Sequence, residues 1–463
     1  MKNNQQISVK TVMSILSSAL VAFVGILMTT SVNVNFPQLA KSFGEPLNAV
    51  QWFSTGCMVT SACTMMCSAY LDRRLSARTN FLMAVGAILL SLLICAWASS
   101  FSLFLLGRLL DGFCIGIDIP LMFNIITNTI PQKRLGFFMS LGATVITVGP
   151  TLGPTYGGLV SYYLGIRPIF LMVIPLIVII AGLGIWSVSN HKRPASHLSF
   201  DLSGLTLILI ALITLIIGFN SLSQFSISTL ILLVIGIVSL GLFIKHGTRV
   251  TKPILNTRVF KNHHFTGIAI VYLMLQMTNM GLAGFLIPNF SQTALGTTSI
   301  VAGLIVLPGS LFRIVGMPVA GKVFDRYGAK LPINAGLITI AIFFTFMTFE
   351  TAKLSSMMIL LAYVVYSLGL ALSFSTVLTA GLNTLPEQLK SDGNAVMSAV
   401  QIYGGALGIS TMSLVIAITK HFNSNPTLNM RLGGQICFGV QLIITISGII
   451  IMALSLKSKK LKH

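Results

Sequence analysis

Asp325-Arg326-Tyr327-Gly328-Ala329-Lys330 ends one long apolar stretch and opens on the next. Asp72-Arg73-Arg74-Leu75-Ser76-Ala77-Arg78 does the same 253 residues earlier. The two stretches stand in the same place relative to the apolar segments around them, so the chain reads as one pattern written twice. An acid and a base at a helix end are able to bridge to a neighbouring helix and hold two parts together, which makes Asp72, Arg73, Asp325 and Arg326 candidate gate residues. The plainer alternative is a pair of solvated turns that only orient the chain.

Outward from these loops, the 463 residues are 54% hydrophobic and only 8% charged, against roughly a quarter charged in an average soluble protein. Such a chain has too little polar surface to cover globular domains, so a soluble fold is excluded. A helix needs about 20 largely apolar residues to cross a bilayer. Fourteen such spans are expected, near residues 12–36, 49–70, 80–98, 102–127, 135–162, 166–188, 203–221, 226–245, 266–290, 299–322, 331–349, 355–382, 394–419 and 434–456. The first is too long for a signal-peptide core and is expected to remain as an anchor. The fold class is therefore an all-α integral membrane protein. Residues 1–190 form one six-helix bundle, 191–262 hold two additional helices, and 263–463 form the second bundle. Parallel half-repeats of this kind are a transporter signature.

The 29 Lys and Arg against 9 Asp and Glu give a formal charge of +20. If the N-terminus is cytoplasmic, 22 basic residues fall on inside segments, among them Lys2, Lys192, Arg193, Lys252 and Lys457 to Lys462. Five, including Lys420, fall outside. That asymmetry predicts both termini inside and an even number of spans. It makes the excess charge a topology signal, with the lipid bilayer as partner and no nucleic acid. The six cysteines lie in apolar stretches without metal-ligand spacing and read as small hydrophobes. His263-His264 reads as a solvated pair. No metal cluster, no nucleophile–base–acid set and no phosphate-binding Gly-rich loop with Lys is found. An enzyme and an ATP-driven pump are therefore not expected, and no cofactor is implied.

Charges inside a bilayer are costly, so each is a functional hypothesis. Span 4 carries Arg108, Asp111 and Asp118, and span 10 carries Arg313. At 100° per residue Asp118 lies about 20° from Asp111, and Arg108 about 60° to its other side, so all three share a face. An arginine holds a neighbouring carboxylate charged while the pair is closed, and desolvation favours the protonated acid once it opens. Asp111 is thus the candidate proton carrier, Arg108 its modulator and Asp118 a second acid; a static buried pair is the alternative. In span 5, Gly149-Pro150, Gly153-Pro154 and Gly157-Gly158 set small residues at helical spacing, which allows close approach of another helix. Such a helix is expected to seal the interface between the halves. Candidate cavity residues are Asn33, Asn35, Asn124, Gln276, Asn279, Gln401 and Tyr403. With few acids available, neutral or weakly cationic amphiphiles are the expected cargo.

These motifs resemble the major facilitator superfamily, and within it the fourteen-span drug:proton antiporters, such as the multidrug and lincomycin-type exporters of Gram-positive bacteria. The family's loop motif is kept as Gly321, Asp325, Arg326, Gly328 and Lys330, and eroded in the first half, where Ser68 and Leu75 replace glycines. Arg108-x-x-Asp111-Gly112 resembles its R-x-x-Q-G pattern, and the span 5 glycines and prolines its antiporter motif. Asp201 with Gly204, Leu307-Pro308-Gly309, Asn383-x-Leu385-Pro386, and Gln401 with Gly404, Gly405 and Gly408 are similar to the same subgroup. The resemblance implies export of amphipathic drugs or toxic compounds across a bacterial cytoplasmic membrane by alternating access. It also implies exchange for protons driven by the proton gradient, by a chain acting as a monomer. One departure stands out: Met28 occupies a position that is acidic in many relatives. A dedicated physiological cargo (a lipid, peptide or metabolite) remains an alternative function, as does a sensor or scaffold that moves nothing.

Overall fold

The computed structural model describes residues 7–45, 47–50, 52–190, 201–221, 226–250, 253, 255–297, 299–419 and 425–455. Lys2, Lys192, Arg193, Lys252, Lys420 and Lys457 to Lys462 lie outside the described residues, as does the 191–200 segment that begins the predicted middle region. Fourteen long helical segments are present among the described residues. They are α1 Val9–Val34, α2 Trp52–Arg74, α3 Ala77–Trp97, α4 Phe101–Thr129, α5 Leu135–Leu164, α6 Ile166–Ser187, α7 Leu202–Asn220, α8 Ile227–Arg249, α9 His263–Ala294, α10 Ser299–Tyr327, α11 Lys330–Glu350, α12 Ser356–Asn383, α13 Glu387–Thr419 and α14 Pro426–Ser455. Thirteen are long and apolar enough to cross a membrane. The other, α2, is long enough, but Ser54, Thr55, Thr60, Ser61, Thr64, Ser68 and its terminal Asp72-Arg73-Arg74 lower its apolarity. The protein is a multi-pass membrane protein.

Helices dominate because lipid offers no partner to the backbone, so each N–H and C=O has to be satisfied within its own segment. Polar residues mark where they begin. Ser76 accepts from the Thr79 N–H, Ser100 from Leu103, Ser226 from Thr229 and Ser355 from Met358, while Asp201 accepts from Gly204 and Asn262 from His264. The left-handed Gly165 (φ 89°) and Gly328 (φ 79°) separate α5 from α6 and α10 from α11, a conformation that costs other residues a Cβ clash. In α9 one turn, Leu282–Leu286, widens to π geometry ahead of Pro288.

Within the first half, α4 packs on α2, α3 and α1, and α1 on α5; in the second, α12 packs on α10 and α11, and α9 on α13. The halves expected from the two acid–base loops meet through α2 and α4 of the first on α13, and through α5 of the first on α10 and α12. Burial follows position: 83% of the most apolar window of α4 is buried, against 22% in α8. Helices α7 and α8 form a hairpin, with α7 leaning on α2 and α13.

Candidate functional site

Helix α4 brings its three charged residues to the face that meets α1. Arg108 and Asp111 form an ion pair one turn apart, both fully buried. Thr29 on α1 joins them: Arg108 Nη2 donates to Thr29 Oγ1 at 3.0 Å, and Thr29 Oγ1 donates to Asp111 Oδ2 at 3.4 Å. Cys57 on α2 lies 3.6 Å from the same hydroxyl. Gly25 and Gly112 allow the approach, since a Cβ on Gly25 would lie 3.2 Å from Asp111 Oδ1, and one on Gly112 would collide with the Cys57 backbone. Asp111 Oδ1 and Arg108 Nε have no hydrogen-bond partner among the described residues. Two turns along α4, Asp118 is also fully buried. Ser18 of α1 donates to its Oδ1 at 2.8 Å, and its Oδ2 has no hydrogen-bond partner among the described residues. The shared face expected for the three residues is therefore observed, and both acids are read by hydroxyls of α1. Met28 is itself buried, and the contact with the pair is made by its chain neighbour Thr29.

At the end of the bundle that carries both acid–base loops, three of the four expected gate residues reach across the halves. Arg73 Nη1 donates to Asp392 Oδ1 and Oδ2 at 2.7 and 2.8 Å, and Ser391 donates to Asp72 Oδ2 at 3.0 Å; both partners sit in the first turns of α13. The segment leaving α8 joins this latch, its Asn256 N–H donating to Asp392 Oδ1 at 2.9 Å and its Pro253 carbonyl accepting from Arg73 at 3.4 Å. On the symmetric side, Asp325 accepts the Gly136 and Phe137 N–H groups at 2.7 and 2.9 Å, at the start of α5. The carboxylate fills backbone donors that a helix start leaves open, where the helix dipole favours negative charge. Arg326 is the exception and lies over the Tyr327 ring at 5.3 Å.

The glycine stripe of α5 faces α1 in its own half, whereas the sequence pointed to the interface between halves. A Cβ on Gly157 would lie 2.6 Å from the Ser31 carbonyl oxygen, and one on Gly153 would strike Thr30. Ser31 and Asn35 donate to the Gly153 and Gly157 carbonyls at 2.9 and 3.2 Å. Gly149 also meets α1, Gly158 has only Val34 at 4.0 Å, Pro150 lies on the same helix, and the side chain of Pro154 is outside the described residues. The seal between halves is made by another face of α5, where Ser140 hydrogen-bonds Ser375 of α12 at 2.6 Å. In the second half Gly404, Gly405 and Gly408 of α13 pack on α9 in the corresponding way. Gly157→Ala is expected to cost about 1–3 kcal/mol by overpacking against the α1 backbone, read as a lowered melting temperature of the purified protein. Gly158→Ala should leave the melting temperature unchanged.

The seven polar cavity candidates do not converge on one chamber. Asn35 is used in packing α1 on α5, Asn33 in the last turn of α1 accepts from Ser54, and Asn124 joins the latch through Asn394 at 2.9 Å. Gln276, Asn279, Gln401 and Tyr403 lie in the second half. There Tyr272 donates to Gln401 at 3.1 Å, Arg313 donates to Asn279 at 3.0 Å, and Tyr403 Oη is unpartnered among the described residues. Of the two histidines read as solvated, His264 contacts the Ser455 carbonyl at 2.8 Å. Sequence reasoning missed Thr29, Ser18, Ser391, Asp392, Asn394 and the fully buried Gln441. Of these only Asp392 left a signal, as one of nine acids in a chain with 29 bases.

The model of the Major Facilitator Superfamily matches residues 18–409. The lincomycin resistance protein LmrB of Bacillus subtilis (strain 168) is 27% identical over 478 aligned positions, covering 100% of this chain and 98% of LmrB. The uncharacterized transporter YhcA of the same organism is 28% identical over 85% of this chain and 74% of its own. Among solved structures, the proton:xylose symporter XylE superimposes with a TM-score of 0.67 over 95% of both chains at 14% identity, a likeness of fold.

Proposed function

This chain belongs to the major facilitator superfamily, and from that premise we propose that it exports amphipathic drugs or toxic compounds in exchange for protons. It is a transporter, and the name of its full-length relative LmrB supports drug efflux as the kind of transport. The proton role rests on one observation: the Arg108–Asp111 pair, fully buried within the first half and tied from α4 to α1 through Thr29. A shift of α1 against α4 separates the hydroxyl from the pair, removes part of the stabilisation of the charged carboxylate and favours its protonation. Asp118, with Ser18 as its α1 partner, is the second acid in the reading. The proton gradient supplies the energy and no cofactor is needed.

In this reading the latched end is cytoplasmic, both termini are cytoplasmic, the membrane is the bacterial cytoplasmic membrane and a single chain suffices. The Asp72/Arg73 and Asp325 contacts keep the cytoplasmic side shut, and cargo binding has to release them. The test is accumulation of a fluorescent amphiphile in inside-out vesicles. Uptake should rise on imposing an acid interior and vanish when an ionophore dissipates the gradient; uptake indifferent to the ionophore would remove proton coupling from the reading.

A further inference from the structure

Arg313 sits at the middle of α10, 14 residues from each end, which is about 21 Å at 1.5 Å per residue. It is 8% exposed. A guanidinium at that depth is expensive unless an opposite charge or a full set of acceptors accompanies it. Here neither does. Nη1 donates to the neutral Asn279 at 3.0 Å, and Nε has no partner among the described residues.

The nine acids of the chain are committed elsewhere or distant. Asp111 pairs with Arg108, Asp392 with Arg73, Asp201 with His246 and Glu387 with Lys390. Asp72 takes Ser391, Asp118 takes Ser18 and Asp325 takes the start of α5. Glu45 lies in an exposed loop and Glu350 at the far end of α11. The first half thus carries a compensated arginine and the second an uncompensated one.

The surroundings of Arg313 suit a ligand with an apolar or aromatic body. Asn279 lies one residue from Thr278, which accepts from Tyr366 at 3.5 Å, and both lie just ahead of the π turn of α9. Tyr366 stacks on Tyr363 with centroids 5.7 Å apart and meets Phe343 at 5.1 Å. Ser367 Oγ, without a partner among the described residues, adds a hydroxyl where α10 approaches α12 at Gly309. π turns inside α-helices are frequent at functional sites.

We propose that Arg313, with Asn279, forms the site for the anionic group of the cargo, a sulfonate or carboxylate on an aromatic amphiphile. This deepens the export reading and rests on it, replacing the expectation of neutral or weakly cationic cargo. The anion completes the charge that the fold leaves open, and a guanidinium offers it a forked pair of donors.

The test is equilibrium binding to the purified full-length protein in detergent, without any proton gradient. The probes are 1-anilinonaphthalene-8-sulfonate and N-phenyl-1-naphthylamine, which share a ring system and differ by the sulfonate. Arg313→Gln should weaken the sulfonate by about tenfold or more, the loss expected for a charge-assisted hydrogen bond, and leave the neutral probe unchanged, with Arg313→Lys restoring part of the loss. Equal losses for both probes would make Arg313 a brace between α9 and α10 and overturn the proposal. So would no loss for either. Chloride raising the melting temperature of the wild type but not of Arg313→Gln, with sulfonate binding intact in both, would assign the charge to a free inorganic anion and also overturn it. Because binding is read without a gradient, failure of proton coupling in vesicles leaves this result standing, and the converse holds.

Discussion

Asp111→Asn is expected to abolish accumulation of an amphiphile against its gradient while leaving exchange of labelled for unlabelled amphiphile intact. The asparagine keeps the size of the side chain and an oxygen for Thr29, but it neither carries a proton nor offers a full charge to Arg108. Each charge moved across the membrane is worth about 2.3 kcal/mol at 100 mV, so losing one coupled proton lowers the attainable concentration ratio about fiftyfold at 1.36 kcal/mol per decade. Transport in inside-out vesicles under an imposed potential reads this directly. Accumulation at the wild-type ratio would show that Asp111 only packs α4. If it were then lost in Asp118→Asn, the coupling acid would be Asp118.

Arg73→Ala should open the latched end. It strands the Asp392 carboxylate, whose side chain is 1% exposed, beside the Asn256 N–H as its remaining described partner. Removing one member of a buried pair costs about 3–5 kcal/mol. Arg73 is itself a quarter exposed, so about 2 kcal/mol is the better figure, a shift of roughly thirtyfold toward the open state. The reporter is Ser68→Cys, a buried position one turn before Asp72, in a chain whose native cysteines are replaced. Its labelling by a membrane-impermeant maleimide from the loop side should accelerate by about that factor. Exchanging the charges, Arg73→Asp with Asp392→Arg, should slow labelling again; an unchanged rate in Arg73→Ala would show that the other contacts across the halves, Ser391–Asp72 and Asp325 among them, hold the end shut without the ion pair.

The architecture was legible because bilayer thickness forces a length on every span and the acid–base loops repeat at a fixed interval. The face of α4 was legible for a similar reason, since helix periodicity alone puts Arg108, Asp111 and Asp118 together. Their partners were not. Thr29 and Ser18 are ordinary hydroxyls in an apolar run, and such residues satisfy their own backbone as readily as they reach another helix; Ser17 and Ser31 both bond carbonyls of α1. The direction of the α5 glycines was equally hidden, because spacing says that a face is small but not which neighbour occupies it. The latch escaped for want of sequence locality, as Arg73 and Asp392 lie 319 residues apart.

The hairpin of α7 and α8 leans on α2 and α13, the two helices joined by the Arg73–Asp392 pair, and the segment that leaves it supplies the Pro253 carbonyl and the Asn256 N–H to that pair. The two helices beyond the twelve of the paired bundles are therefore not an excisable module. A shortened chain that joined the halves directly would remove one backbone ligand from each side of the pair. The extra helices thus hold, through two backbone groups, the one point where an ionic bond crosses between the halves among the described residues.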